Sequence, residues 1–136
     1  MRAVLDPNVI ISGVLSPSGG PARLLRALEA GEFELVVSQA LIGELSRALA
    51  YPKLRRHIPQ PDAEALVGWI ERSALNVSQP APPPPVRSSD PDDDYLISLA
   101  AAHVAVLVSG DKHLLDLYDA IPVLSPRQFL ELLATH

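Results

Sequence analysis

The residues best suited to chemistry in this sequence are acids that follow apolar segments. Asp6 comes directly after the apolar residues 3–5, and Asp111 comes shortly after the apolar run 104–108. Short apolar runs of this kind predict buried strands. Because ligands bind at the carboxyl ends of parallel strands in an open α/β sheet, we expect the Asp6 and Asp111 carboxylates to share one edge of the sheet.

A run of acids precedes a further predicted helix, which spans about residues 91–102. Helical geometry places Asp93, and also Asp92, near the inner side of that helix, while Asp94 points toward solvent. Asp90 is followed by a proline, which is the pattern of a helix N-cap. We therefore expect Asp93 to face the site and Asp90 to cap the helix.

Glu44 is a fourth candidate, because it borders the apolar stripe of the helix predicted between Ser38 and Pro52. Two carboxylates ~4 Å apart repel by roughly 4 kcal/mol at an effective dielectric constant of about 20, so clustered acids require protons or cations. Lys112 is the basic residue nearest to the strand ends, and one lysine does not balance several acids. A divalent cation explains the cluster more simply. The sequence has no cysteine and no paired histidines, and oxygen ligands favour Mg²⁺ or Mn²⁺ over zinc.

Short β-rich segments alternate with helical patterns along the chain, which predicts βαβ units and a parallel sheet covered on both faces. Strands are predicted at residues 3–5, 33–37, 75–77, 104–108 and 122–124. Helices are predicted near residues 9–15, 21–30, 38–51, 61–74 and 91–102, and shorter or final ones after 111 and 125. We expect the proline-rich residues 80–85 to run as an exposed strap within a single domain of residues 1–136.

The composition excludes several classes of protein. With 136 residues and a hydrophobic content of 48%, the chain fits one folded domain rather than a disordered segment. The lack of cysteine excludes disulfides, thiolate zinc sites and cysteine nucleophiles. No apolar stretch reaches the ~20 residues that a membrane helix needs, and Asp6 interrupts any N-terminal signal sequence. We therefore expect a cytoplasmic protein without a membrane partner.

The net charge of −5 does not favour nucleic-acid binding through overall charge, so any contact with phosphates has to be local. Four cations fall within ten residues, on and just after the helix of Glu44: Arg47, Lys53, Arg55 and Arg56. They could bind the phosphates of an RNA beside the acids. Equally, they could stabilise the C-terminal end of that helix.

Four segments of the chain, in this order, resemble the motifs of the PIN-domain ribonucleases, in particular the VapC-like toxins of bacterial toxin–antitoxin systems. These segments are Asp6-Pro7-Asn8, Ser38 through Glu44-Leu45, Asp90-Pro91-Asp92-Asp93, and Ser109-Gly110-Asp111-Lys112. The resemblance extends over nearly the whole chain. It implies a three-layer α/β/α sandwich with a central, mainly parallel sheet, and a metal-dependent endoribonuclease that hydrolyses RNA phosphodiester bonds.

By position, the resemblance implies catalytic residues that also bind one or two Mg²⁺ or Mn²⁺ ions: Asp6, Glu44, Asp93 and Asp111. The eighteen-residue step from Asp93 to Asp111 is similar to that of related proteins and favours Asp93 over Asp94, where others often carry asparagine. The supporting residues would be Asn8, which orients Asp6, Ser109, which holds the site or a water, and the neighbouring acids Asp90 and Asp94. Ser109 departs slightly from the family, since some members carry threonine there.

In the mechanism that we expect, a metal ion held by Asp6, Asp93 and Asp111 would lower the pKa of a bound water. The resulting hydroxide would attack a phosphorus atom of the RNA backbone in line. Glu44 would bind a second ion or position the attacking water. The expected partners are an RNA substrate and an antitoxin protein. Apolar residues of the early helices, such as Leu24 and Leu28, could also form a homodimer face or take an antitoxin segment.

Two alternatives stay open at the level of sequence. A PIN fold that binds RNA or a protein without cleaving it could carry the same acids, and metal-dependent turnover would distinguish the two. A Mg²⁺-dependent phospho-acceptor receiver domain has a similar length and sheet. It normally pairs two acids after the first strand, whereas here Asp6 stands alone before Pro7.

Overall fold

The computed structural model describes residues 1–79, 93–116 and 122–135. Within these ranges the strands are β1 (Arg2–Leu5), β2 (Glu34–Val37), β3 (Leu75–Asn76), β4 (Val106–Val108) and β5 (Val123–Leu124). They form a five-stranded sheet in the order β3-β2-β1-β4-β5, and all the pairings in it are parallel. The prediction of a parallel sheet is therefore confirmed.

Helices connect these strands and cover the sheet. They are α1 (Pro7–Leu15), α2 (Gly20–Glu29), α3 (Gln39–Leu49), α4 (Pro52–Arg55), α5 (Gln60–Ser73), α6 (Asp94–Ala102), α7 (Lys112–Leu115) and α8 (Pro126–Ala134). Helix α6 packs against β1, β2 and β4, whereas α1 packs on α2 and α3, α2 on α8, and α3 on α5. This arrangement confirms the three-layer α/β/α architecture.

Two inner strands are buried on both faces. Residues 3–5 of β1 and 35–37 of β2 are fully buried, without the alternation typical of a strand that has one face in water. Cover on both sides explains why these strands are continuous apolar runs in the sequence. The parallel register aligns Leu5 with Val108, so β1 and β4 end at the same edge of the sheet.

The strand order of the sheet reverses its direction between β1 and β4. From β1 the sheet continues to β2 and β3 on one side and to β4 and β5 on the other. The crevice at the carboxyl ends of β1 and β4 is therefore a topological switch point, where α/β sheets usually bind their ligands. The order also differs from the flavodoxin-like order of receiver domains, which argues against the phospho-acceptor alternative.

Strand β4 begins later than the sequence predicts. Val104 is 91% exposed and has a left-handed backbone with a φ of 50°. It belongs to the end of α6, where the Ala105 amide donates a hydrogen bond to the Ala100 carbonyl at 2.9 Å. The prediction of a strand from residue 104 was wrong, because the helix end takes up the first part of that apolar run.

Leu24 and Leu28 are buried side chains of the hydrophobic core. The idea that they form a homodimer face or an antitoxin surface was therefore wrong. The predicted strap at residues 80–85 and the predicted cap Asp90 lie outside the described residues. Among the helices in the described ranges, none has both the length and the apolar character that crossing a membrane requires.

Candidate active site

Asp6 is placed by the junction of β1 and α1. Its backbone amide donates a hydrogen bond to the Val108 carbonyl of β4 at 2.9 Å, which continues the sheet by one residue. Pro7 then starts α1, and the Asp6 carboxylate caps this helix by accepting a hydrogen bond from the Asn8 amide at 3.0 Å. The residue is 5% exposed, so a carboxylate is buried at the carboxyl edge of the sheet.

Ser109 connects the ends of β1 and β4. Its buried hydroxyl donates to the second oxygen of Asp6, Oδ2, at 2.9 Å. The same hydroxyl oxygen accepts a hydrogen bond from the Asp111 amide at 2.9 Å. A serine hydroxyl has one proton to donate, and here that proton is directed at Asp6. The contact fixes the Asp6 carboxylate and holds the backbone of Asp111 at the same edge.

Two adjoining cavities open beside Asp6, and both are lined by Asp6 and Asn8. The larger cavity, of about 410 Å³, is also lined by Asp111, and we call it the Asp111 cavity. The smaller one, of about 180 Å³, is called the Glu44 cavity, and its further lining residues include Glu44, Asp93 and Tyr95.

The structure thus brings the other three predicted acids to two sides of Asp6. Asp111 lies on one side of Asp6, and Glu44 and Asp93 lie on the other. In the parts of the chain that the structure describes, no three histidine, aspartate or glutamate side chains are grouped so that they could hold a metal ion as they stand. The donor set nevertheless has the oxygen chemistry that Mg²⁺ and Mn²⁺ prefer, and Asp6 is the member shared by both sides.

The pKa of the Asp6 carboxyl is raised above its ordinary value. Burial is the main cause, because it takes the charged form out of water. The hydrogen bonds from Asn8 and Ser109 lower this pKa, and the negative charges of Asp111 and Glu44 raise it. A cation in either cavity would relieve the burial cost and the repulsion together, so the local electrostatics fit a positively charged ligand.

Glu44 is carried by α3, whose start is set by Ser38. The Ser38 hydroxyl oxygen accepts a hydrogen bond from the Leu41 amide at 3.3 Å. The Glu44 carboxylate accepts a hydrogen bond from Arg47 Nη2 at 2.9 Å, and the two side chains are 49% and 70% exposed. Arg47, one of the four cations that could bind RNA phosphates beside the acids, therefore lies next to Glu44.

The four predicted RNA-binding cations do not share one place in the structure. Arg55 lines a third cavity, of about 260 Å³, together with Ser46 of α3. Ser46 stands about 200° around the helix from Glu44, so this third cavity lies on another side of α3. Two further cations are exposed on and just after α4: Lys53 and Arg56. The ion pair with Glu44 is the observation that places Arg47 beside the acids.

Gln79 links the helices that carry Glu44 and Asp93, and the sequence analysis missed it. The Ser38 hydroxyl, at the start of α3, donates a hydrogen bond to Gln79 Oε1 at 2.7 Å. The Gln79 side-chain amide, Nε2, donates in turn to the Tyr95 carbonyl in the first turn of α6 at 3.1 Å. A glutamine just before a proline-rich segment carries no sequence signal for such a contact.

Tyr95 is the second residue that the sequence analysis missed. It lines the Glu44 cavity, and its hydroxyl oxygen is buried without a hydrogen-bond partner among the described residues. Burial raises the pKa of this hydroxyl, and the charge of Glu44 raises it further, as do those of Asp6 and Asp93, against a lowering by Arg47. The hydroxyl therefore stays protonated and is a donor close to several carboxylates. Its place in the first turn of α6, two residues after Asp93, was the available signal.

The two acids at the start of α6 have different positions. Asp93 stands at the N-cap position and lines the Glu44 cavity. Asp94 is the first residue of the helix and is partly buried rather than fully turned to solvent. The cavity geometry therefore favours Asp93 as the acid that faces the site.

The model of the PIN domain family matches residues 2–113 of the chain. The match runs from β1 into α7 and includes all four predicted acids. The chain belongs to the PIN domain family. The resemblance to PIN domains, inferred from four short motifs, is thereby confirmed.

Known proteins resemble this chain over most of its length. Uncharacterized protein MJ1680 of Methanocaldococcus jannaschii is 25% identical over 141 residues, which cover 96% of this chain and 90% of that protein. The structure of VapBC2 from Rickettsia felis, bound to a DNA fragment from its promoter, matches with a TM-score of 0.60 and 14% identity over 91% of this chain and 97% of that one. FitAcB from Neisseria gonorrhoeae matches with a TM-score of 0.58 and 18% identity over 92% of this chain and 98% of that one. At these identities the structural likeness shows a shared fold.

Proposed function

We propose that this protein is a metal-dependent endoribonuclease that acts as the toxin of a toxin–antitoxin pair. Membership in the PIN domain family indicates a nuclease, which hydrolyses phosphodiester bonds. The observation that carries the proposal is the buried Asp6 carboxylate at the switch point of the sheet, between Asp111 on one side and Glu44 on the other. Acids in this arrangement suit a hard cation and, through it, a phosphate ligand.

The residues that would hold one or two Mg²⁺ or Mn²⁺ ions are Asp6, Glu44, Asp93 and Asp111. A bound ion would supply stabilisation of negative charge on the phosphate and a source of hydroxide at neutral pH. Asp6 would be the shared ligand, because it lines both cavities. Asn8 and Ser109 keep its carboxylate in one orientation through hydrogen bonds of 3.0 and 2.9 Å, so this ligand is preorganised.

The Asp111 cavity has a size that suits part of an RNA backbone. The Asp111 cavity, of about 410 Å³, falls within the roughly 300–1,000 Å³ of typical ligand pockets. Arg47 would contact a phosphate beside Glu44, since its guanidinium is exposed and arginine binds phosphate well. With aromatic residues at 4% of the sequence, base stacking is a minor resource, so we expect binding led by phosphates with modest sequence preference.

An antitoxin partner is proposed from the sequence resemblance to VapC-like toxins and from the fold shared with VapBC2. A disordered antitoxin segment would have to bind on a surface other than Leu24 and Leu28, because both are buried. The interface of a homodimer would likewise have to form without Leu24 and Leu28. Co-purification of the protein with the product of an adjacent gene tests this part of the proposal separately from cleavage.

A ribonuclease assay tests the catalytic part. Single-stranded RNA is incubated with the protein and Mn²⁺, with and without a chelator. We expect cleavage that requires the metal and is lost in Asp6→Asn. The matched control is Asp62→Asn, because Asp62 is an exposed acid in the first turn of α5, and it should keep full activity.

Two outcomes of this assay would contradict the proposal. Undiminished cleavage in chelator would exclude the metal, and undiminished cleavage by Asp6→Asn would exclude the site. Binding of RNA without any cleavage by the native protein would favour a PIN fold that serves as a binding module.

A further inference from the structure

The Tyr95 hydroxyl is buried and has no hydrogen-bond partner in the described part of the chain. An unpaired buried hydroxyl costs free energy, and such groups are rare in folded proteins. Tyr95 and Glu44 line the same cavity of about 180 Å³. Asp6 lines this cavity too, but both of its carboxylate oxygens already accept hydrogen bonds, from Asn8 and Ser109. The Glu44 carboxylate is therefore the natural acceptor for this hydroxyl.

The partner that Glu44 has in the structure is held weakly. Arg47 and Glu44 form an ion pair at 2.9 Å, but their side chains are 70% and 49% exposed. Ion pairs at such exposed positions add little to stability. A hydrogen bond from the Tyr95 hydroxyl could replace this ion pair at little cost, because the carboxylate is a charged acceptor and the buried hydroxyl would gain a partner.

We propose that Tyr95 is a positioning residue for Glu44. When an RNA phosphate draws Arg47 away, the Glu44 carboxylate accepts a hydrogen bond from the Tyr95 hydroxyl and is held in the cavity that Asp6 also lines. Arg47 and Tyr95 thus hold Glu44 in two positions, one toward solvent and one toward the other acids. The role in RNA cleavage rests on the proposed function, whereas the hydrogen bond itself does not.

The backbone is already arranged for this exchange of partners. Gln79 ties the Tyr95 carbonyl to Ser38 through hydrogen bonds of 3.1 and 2.7 Å, and Ser38 starts the helix that carries Glu44. The N-terminal ends of α3 and α6 are therefore held together. In the proposed exchange the Arg47 and Glu44 side chains move, while the starts of the two helices stay in place.

A double-mutant cycle in Arg47→Met protein tests the hydrogen bond without RNA or metal. In this background the competing cation is absent, Tyr95→Phe removes the hydroxyl, and Glu44→Ala removes the acceptor. We expect Tyr95→Phe to lower the midpoint of thermal unfolding by about 3 °C when Glu44 is present, and to have no effect when Glu44→Ala is also present. Equal effects of Tyr95→Phe in both backgrounds would overturn the proposal.

The functional role needs a second measurement, with RNA and Mn²⁺. In otherwise native protein we expect Tyr95→Phe to lower kcat about tenfold with KM unchanged, since the loss concerns a positioned group rather than substrate binding. The matched control is Tyr51→Phe, because Tyr51 is 66% exposed at the start of α4, and it should change neither kcat nor the unfolding midpoint.

The two measurements separate failure of this inference from failure of the proposed function. Coupling in the unfolding cycle with an unchanged kcat in Tyr95→Phe would overturn the positioning role, because the hydrogen bond would then be structural only. If the native protein cleaves no RNA, the proposed function fails, and the unfolding cycle still decides whether Tyr95 and Glu44 are bonded.

Discussion

The Ser109 hydroxyl donates a hydrogen bond to Asp6 Oδ2 at 2.9 Å, although the two residues are 103 positions apart in the sequence. The contact joins the ends of β1 and β4 at the switch point of the sheet. Because the same hydroxyl accepts a hydrogen bond from the Asp111 amide, one side chain sets the relative position of two proposed metal ligands.

Ser109→Ala should lower the free energy of unfolding by about 1–3 kcal/mol, because a buried oxygen of Asp6 loses its hydrogen-bond partner. Urea denaturation measures this loss. Ser109→Thr keeps the hydroxyl, and we expect it to retain the RNA cleavage that Ser109→Ala loses. Equal stability of the native protein and Ser109→Ala would show that the contact does not hold Asp6.

Asp6→Asn should stabilise the metal-free protein at neutral pH. The pKa of Asp6 is raised in the folded state, so the folded protein favours the protonated carboxyl more than the unfolded chain does. The contribution of this group to stability is therefore fully present below the unfolded pKa and is lost as the pH rises through the folded pKa. We expect the gain from Asp6→Asn to be largest near neutral pH and to vanish below about pH 4. Thermal unfolding at several pH values measures this, and a gain independent of pH would contradict it.

Mn²⁺ should stabilise the native protein and not Asp6→Asn. A ligand at a hundredfold excess over its Kd stabilises a folded protein by about 2.7 kcal/mol. We therefore expect a rise in the unfolding midpoint that grows with Mn²⁺ concentration and is reversed by a chelator. Asp62→Asn serves as the control and should respond like the native protein. The same rise in Asp6→Asn would place the ion elsewhere.

Gln79→Met should lower the free energy of unfolding by about 1–2 kcal/mol, because the Ser38 hydroxyl loses its acceptor and the Tyr95 carbonyl loses the donor on Gln79. Hydrogen exchange should also become faster in the first turns of α3 and α6. Gln60→Met is a suitable control, since Gln60 bonds only to the exposed Glu64 among the hydrogen bonds described for it. A loss in Gln60→Met as large as in Gln79→Met would argue against a special role of Gln79.

Val104→Gly should raise the free energy of unfolding by about 0.5–1 kcal/mol. A left-handed backbone costs roughly 1–2 kcal/mol for a residue with a Cβ atom, and the greater freedom of glycine in the unfolded chain offsets part of this gain. Ala102→Gly, inside the right-handed part of α6, should instead lower it by about 1 kcal/mol. Guanidinium denaturation compares the two variants, and a loss in Val104→Gly would be the contrary result.

The parts of the fold that follow from local pattern could be predicted from the sequence. Residues 3–5 and 35–37 form continuous apolar runs because both faces of the sheet are covered, and this pattern, together with the alternation of strands and helices, indicates parallel strands. Asp6 could be placed at the edge of the sheet because Pro7 ends the strand at once. The prediction of a strand from Val104 was wrong, because an apolar run does not reveal where a helix ends and a strand begins.

The parts of the site that depend on contacts between distant side chains could not be predicted. The ion pair of Arg47 and Glu44 is an exception, because both residues lie on one helix and their helical spacing could have predicted it. Gln79 and Tyr95 meet only because α3 and α6 are brought together by the sheet. No motif connects these two positions, so the three-dimensional fold was needed to show that they meet.

The bond between Ser109 and Asp6 has a consequence for the newly made polypeptide. A ribosome adds about 5–20 residues per second, so the first strand waits for several seconds before its partner serine emerges from the exit tunnel. During that interval Asp6 has been synthesised, but Ser109, which orients its carboxylate, has not. A fragment that stops before Ser109 would therefore leave the Asp6 carboxylate without this hydrogen bond.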